Sequence, residues 1–515
     1  TLRFSTVRAR GVDVRVEHLP REGLPLTAGQ PAIPGFARRI PRRPPARSDR
    51  SAAEKAWTIA LPDVRIEEVR ELWIERFRTR GLARAEGGFR LAIGRFFELF
   101  DSRLALDRAA TSVAGLPALG EIEGVVEARI DPLVPGRDSG WRSLSFTSGR
   151  ARLAGRLASI SFLETFLPRA PWLDLAAGDG PLRLEVGLRR GRLVAGSSAR
   201  IRTRQAVIDL LDYRIRGACD LDWRVDSERA VAEAAIRGAA IGYRGPAPPH
   251  LRAPRVQLTL ATRDLLVDGR LDGFAATADL PRAEAADLTR YNAFLPPGAN
   301  LALTAGRGVF SSRLSIDQAG RAAGRIHLQT QGLAVRVRDV PWRGDCRLDF
   351  AVRSPDVKAR RFLLGGSRGR CDAIEIVHRG ARSWWAVGSI DDGFVQPGGQ
   401  ESLGLRGRVE ARDAEPVWIL FAGPRRAGLA ARFLRDKRIA AHGLFALRPN
   451  GWRSTIEGAA GSELGLAARL RADRGGLMGS LLARFKGRAL GLELTGRSRR
   501  VHLRHAEDWF AASSP

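Results

Sequence analysis

The sequence predicts a mainly β protein: a long curved antiparallel sheet forming an elongated U-shaped groove, with a few short amphipathic helices. Three observations carry this expectation. Apolar and polar residues alternate with period two, glycine and Asp-Gly steps punctuate the alternating runs, and a block of about 128 residues recurs.

The alternation is sharpest in three runs. Leu182, Leu184, Val186 and Leu188 alternate with Arg183 and Glu185. Val256, Leu258 and Leu260 alternate with Gln257 and Thr259, and Leu333, Val335 and Val337 with Ala334 and Arg336. Successive strand side chains point to opposite faces, so each run predicts one dry face and one wet face. Asp179-Gly180, Asp268-Gly269 and Asp272-Gly273 predict antiparallel hairpins.

Residues 20–55 interrupt the pattern. Pro20, Pro25, Pro31, Pro34, Pro41, Pro44 and Pro45 lie there with Arg38, Arg39, Arg42, Arg43, Arg47 and Arg50, predicting a long loop. No stretch has the length and apolarity of a membrane span. The formal net charge is +29, and with four lysines 81 of the 85 basic residues are arginine.

The duplication is the strongest signal. FLPRAPWLDLAAGDG at 166–180 matches FLPPGANLALTAGRG at 294–308, 8 of 15 positions being identical. RGACDLDWRV at 216–225 matches RGDCRLDFAV at 343–352 at 6 of 10 positions, the offset falling from 128 to 127. A short helical pattern precedes each copy. Ser161-x-x-Glu164 predicts a capping box with Ile160, Leu163 and Leu167 on one face, and Asp287 caps a helix presenting Leu288, Tyr291 and Leu295. A third start places Asp413 before Pro416–Phe421. The expected organisation is a β-groove segment at 1–156, repeat units at 157–284 and 285–412, and a partial third unit at 413–515.

In the first copy Cys219, Leu221, Trp223 and Val225 share a face opposite Asp220, Asp222 and Arg224. In the second, Cys346, Leu348, Phe350 and Val352 oppose Arg347, Asp349 and Arg353. Cys219 and Cys346 are therefore expected as equivalent buried hydrophobes, and three dispersed cysteines predict no disulfide scaffold. A sandwich or a curled trough would each bury such faces; tandem units without linkers favour the trough. An apolar trough suits acyl chains, whose exposure to water costs about 0.8 kcal/mol per CH₂. The expected lining is Leu182, Leu184, Val186, Cys219, Leu221, Trp223, Val225, Leu333, Val335, Val337, Cys346, Leu348 and Phe350. The short helices near 160–167, 287–295 and 414–422 are expected to pack on the sheet or lie at the groove mouth.

The opening hairpin before the Pro/Arg loop, WTIALPDVRIEEVRELWIERFRTRGLARAEGG at 57–88 and the helix–FLP–L-x-L-x-x-G-x-G segments resemble the AsmA-like proteins, including the TamB and YdbH relatives. The resemblance spans most of the chain and rests on pattern. It implies a periplasmic protein of the cell envelope, tethered to the inner membrane by an anchor not present in this sequence. Its groove would carry phospholipids toward the outer membrane, serving outer-membrane biogenesis. An outer-membrane protein is a further partner the resemblance implies, although the C-terminal end does not match the TamB-type terminal domain.

No catalytic constellation stands out, so no enzyme, cofactor or metal is expected. His502-x-x-His505 with Asp508 has metal-like spacing and lacks further ligands at a recognised interval. The rivals are a basic nucleic-acid-binding protein, which the net charge would serve, and a cargo-free structural β protein. Even spacing of arginine along strands argues against nucleic acid. An outer-membrane barrel would need aromatic girdles, and the chain has three tyrosines.

Overall fold

The computed structural model describes residues 2–513 apart from 17–56, 75–76, 93–94, 135–136, 139, 166–172, 211, 246–247, 268–272, 296–300, 338–339, 356, 377–383, 397–401, 414–437, 449, 462, 474–475 and 497. The Pro/Arg segment and the third predicted helix fall outside the described residues, as do most of the Asp-Gly steps at 268–273. The protein is mainly β. It divides into two compact units, Thr1–Arg237 with Leu258–Ala275, and Gly238–Gln257 with Ala276–Pro515. Ala230–Tyr243 (β13), Leu251–Thr262 (β14) and Ala275–Ala285 (β15) contribute residues to both.

The first unit is built from Leu2–Arg3 (β1), Val7–Val16 (β2), Thr58–Ile74 (β3), Phe77–Ala92 (β4), Phe96–Val113 (β5), Leu116–Leu133 (β6), Thr147–Leu157 (β7), Leu173–Ala177 (β8), Gly180–Arg189 (β9), Arg192–Leu193 (β10), Ser198–Leu210 (β11) and Tyr213–Val225 (β12). Antiparallel ladders run β3–β4–β5–β6–β7–β9–β11–β12. The expected opening hairpin is corrected: β1 and β2 both pair with β3 in parallel. A parallel neighbour requires a crossover, for which the intervening chain is long enough.

Asp179-Gly180 is a second correction. Asp174↔Asp209 and Glu185↔Ser198 are equally spaced on both strands, so β8 and β9 follow one another in a single strand position on β11. The break between them is a kink at Gly178, whose φ of +144° favours glycine.

The second unit continues with Leu301–Asp317 (β16), Ala322–Val337 (β17), Val340–Ser354 (β18), Phe362–Leu363 (β19), Ser367–Ile376 (β20), Trp384–Val395 (β21), Leu403–Ala411 (β22), Ile439–Arg448 (β23), Gly451–Ala460 (β24), Leu464–Asp473 (β25), Gly476–Phe485 (β26), Arg488–Thr495 (β27) and Ser498–His502 (β28). Its ladders form an antiparallel meander from β16 to β28. The pairings β18–β20–β21–β19–β18 close a small ring, a barrel in connectivity. Leu363↔Phe394 and Ser367↔Ile390 keep one register along β21, so β19 and β20 succeed each other in a single strand position.

The helix Ala506–Ala512 (α1) packs Ala506 and Phe510 against Ala467 and Leu482. Arg469 Nη1 donates to the Phe510 and Ser513 carbonyls at 3.1 and 2.6 Å, satisfying the helix C-terminus.

The predicted repeat helices are 3₁₀ turns, Ile160–Thr165 and Leu288–Phe294. Asp287 caps the second as expected, accepting from Thr289 N–H at 2.9 Å. In the first the cap is Ser159 rather than Ser161: Ser159 Oγ accepts from Ser161 N–H at 3.2 Å. Glu164 does not close a capping box, since its carboxylate accepts from Leu175 N–H at 2.5 Å, tying the turn to β8. Asn292, 128 residues on, holds both the N–H and the C=O of Leu303 at 2.7 Å. The two copies therefore share cap, apolar anchor and strand tie at equivalent positions.

The described cysteines also depart from expectation. Cys346 and Cys371, directly opposite on β18 and β20, form a disulfide, while Cys219 is free and buried. Both backbone polar groups of Cys346 engage Thr330 on the β17 side, so its pairing with Cys371 lacks mutual hydrogen bonds. Non-hydrogen-bonded pairs bring side chains closest. The bridge escaped notice in the sequence because Cys371 lies outside the duplicated segment.

Candidate functional site

Tracing register from strand to strand assembles one apolar face in each unit. In the first, Ala9, Ile66, Ala85, Leu104, Val126, Ala151 and Val186 pair successively across β2 to β9. Leu182 faces Ile201, which faces Leu221; Leu184 faces Ala199, which faces Trp223. The expected lining residues of this copy thus share a face, with β11 between their strands. Cys219 and Val225 are buried and the others are half-buried. Val225 and Trp223 are covered at one end by Leu193, Ala230 and Leu265, so they pack there rather than stand open.

In the second unit the pairing Phe310–Leu328–Leu348–Gly369–Gly388–Val409–Ala441–Gly458–Leu466–Ala483–Leu490 runs unbroken from β16 to β27. Leu333, Val335, Cys346 and Phe350 lie on this face by register, with Cys346 buried and the other three half-buried. Val337 pairs with Val340 in the backbone ladder, and its side chain is outside the described set. From β16 to β26, no registered position of this face carries an ionisable side chain among the described residues. Ala334, on the opposite side, is nonetheless buried, its methyl lying between the paired Ala305 and Arg343.

The rows are equivalent in the two copies: Leu182–Ile201–Leu221 corresponds to Phe310–Leu328–Leu348. Sequence reading found Leu182, Leu221 and Leu348 and missed Ile201, Phe310 and Leu328. Their alternation was legible locally, but bulges between Thr203 and Ala206 and between Gln329 and Leu333 shift its phase.

The opposite face carries the charge as cross-strand pairs. Arg150 and Arg152 share Glu185, Arg200 meets Asp222 at 2.5 Å, and Arg237 meets Asp220 at 2.9 Å. Arg78 and Arg80 share Glu71; the Arg78 hydrogen bond foremost, with Trp73 and Arg80 adding, holds that carboxyl down at about 2 against burial. The exposed pairs among these contribute about 0–1 kcal/mol each, so their main effect is to keep this face wet. On the apolar face, burial pushes the Cys219 thiol up to about 11, with Asp220 adding to the shift. It is an inert thiol at neutral pH.

The His502/His505 pair does not converge on one point: His502 Nε2 lies 3.2 Å from Glu493 and its ring stacks on Trp509, while His505 Nδ1 faces Asp508 at 3.4 Å. Among the described residues there is no cluster of metal-ligating side chains and no helix long and apolar enough to cross a membrane. No family model, curated protein or solved structure matches the chain.

Proposed function

We propose that this chain is an AsmA-like lipid carrier whose apolar faces form a groove that shields acyl chains in transit between inner and outer membranes. The observation that carries the reading is the unbroken apolar row from Phe310 to Leu490, backed by a face charged with ion pairs. Half-buried Leu348 and exposed Val409 on that row leave surface for a ligand to cover. Each CH₂ kept from water there is worth about 0.8 kcal/mol, so a sixteen-carbon chain, roughly 12 kcal/mol dry, crosses without meeting a charged group. Phospholipids are the cargo this chemistry suits, and the resemblance implies inner and outer membranes as the donor and acceptor, with an inner-membrane tether and an outer-membrane protein as partners. The Cys346–Cys371 bridge supports a periplasmic setting, since disulfides persist in oxidising compartments.

The test is mass spectrometry of lipids retained by the protein purified without detergent. Phospholipid at near-stoichiometric amounts is expected; its absence from repeated preparations overturns the reading. Salt-sensitive retention on DNA in the same preparations would favour the nucleic-acid alternative instead.

A further inference from the structure

The 3₁₀ turn Leu288–Phe294 rests on the apolar face. A Cβ placed on Gly308 would lie 3.1 Å from Leu288 Cδ2, 3.2 Å from Leu328 Cδ1 and 3.2 Å from Phe310 Cε2. A Cβ on Gly306, φ +132°, would meet Leu288 Cδ1 at 3.2 Å. Two glycines therefore form a notch, and Leu288, 4 % exposed, fills it. Tyr291 stacks on Phe310 with ring centroids 5.9 Å apart, covering the first member of the apolar row. The first copy keeps the arrangement at one of the two glycines: Ile160 is buried, its N–H donates to the Gly178 carbonyl at 2.7 Å, and a Cβ on Gly178 would meet Ile160 Cδ1 at 3.5 Å.

We propose that each turn is an internal occupant of the lipid path, its apolar side chain seated in a glycine notch that a bound acyl chain competes to fill. The inference rests on the lipid-carrier reading and adds its regulation. Leu288 lies beside the row Phe310–Leu328–Leu348, along the line an acyl chain follows from strand to strand. Burying the same apolar patch under a leucine or under methylene groups is nearly equal in energy, so exchange between them is cheap. The polar ties of the turn run through Asp287, Asn292 and Arg290, whose Nη1 donates to the Pro249 carbonyl at 2.9 Å, while the Leu288 side chain is held by packing alone. A seated turn closes the path; a displaced one opens it.

The experiment is hydrogen exchange read by mass spectrometry on the whole chain, delipidated and then loaded with dioleoyl phosphatidylethanolamine from vesicles. Amides of 160–165 and 288–294 are expected to exchange about tenfold faster in the loaded protein, while β17 and β18 become more protected. Leu288→Ala and Ile160→Ala, checked for native β content, are expected to retain about twice as much lipid as the parent. Lipid bound with both turns unchanged, or variants retaining no more than the parent, overturns the competition alone. A parent chain that binds no lipid overturns the carrier reading, and this inference with it.

Discussion

Thr330 grips the backbone of Cys346 from the neighbouring strand. Its Oγ1 accepts from Cys346 N–H at 2.8 Å and donates to the Cys346 carbonyl at 3.4 Å, where the β17–β18 ladder skips between Gln329 and Leu333. The equivalent pair in the first copy, Thr203 opposite Cys219, lacks this: Thr203 Oγ1 is buried with no hydrogen-bond partner among the described residues. One threonine replaces missing ladder bonds, and the other keeps its hydroxyl unused.

Valine at the two positions should therefore act in opposite directions. Thr330→Val strands a buried N–H and should cost about 1–3 kcal/mol. Thr203→Val removes an unsatisfied hydroxyl at nearly constant volume and should be neutral or slightly stabilising. Urea denaturation of both variants checks this, and equal losses would refute the assignment.

The cysteines separate by reactivity. Reduction of the folded protein should release one reactive thiol to a chromogenic disulfide reagent, that of half-buried Cys371, whereas Cys346 and Cys219, both buried, should react only on unfolding, the Cys219 thiol being held protonated as well. The bridge closes a loop with a sequence separation of 25 residues, so Cys371→Ser should lower stability by about 3 kcal/mol. A melting temperature indifferent to reductant would contradict this.

The first unit's wet face predicts an acid transition. Glu71 is held at about 2, below the ordinary 4.5, chiefly by Arg78, and is about three-quarters buried. The unfolded chain takes up the proton first as pH falls. The stabilisation is thus complete above about 4.5 and lost on descending toward 2, and after allowance for solvent screening it is worth about 1–2 kcal/mol. Glu71→Gln should remove this part of the slope in urea titrations between pH 6 and 2.5; a variant with the parent's slope would show that other carboxylates set it.

Strand chemistry was legible wherever two-residue alternation ran unbroken, as at Leu182–Val186 and Leu348–Phe350, because facing is local geometry. The repeat was legible because 8 of 15 and 6 of 10 residues recur at a nearly constant offset, whereas the Ser159 cap and the strand ties through Glu164 and Asn292 were not. Long-range register was not. Parallel pairing of Val7 with Val64 depends on a distant crossover, and the Asp179-Gly180 kink has the local chemistry of a hairpin turn. Cys371 was opaque for the same reason: which residue faces Cys346 is set by the connection from β18 to β20, which carries the short strand β19.

Leu221 and Leu348 occupy equivalent positions in the two rows, each the third strand from the kinked start of its repeat, and each half-buried. An aspartate at either site places a carboxylate on a face whose neighbours, Ile201 for one and Leu328 for the other, offer it no partner. Because both positions retain solvent access, the fold should survive each change, with a loss of about 1–3 kcal/mol from lost apolar burial. Passage of acyl chains is another matter, since desolvating an unpaired carboxylate costs several kcal/mol more than the chain recovers. Retained phospholipid should fall several-fold in Leu221→Asp and in Leu348→Asp, and Leu221→Ala and Leu348→Ala should keep most of it. Charge on the opposite face serves as the control: Ala440→Asp, next to Ala441 but pointing the other way, should leave lipid retention unchanged. Folded aspartate variants that retain as much lipid as their alanine counterparts would mean that acyl chains do not travel along these rows.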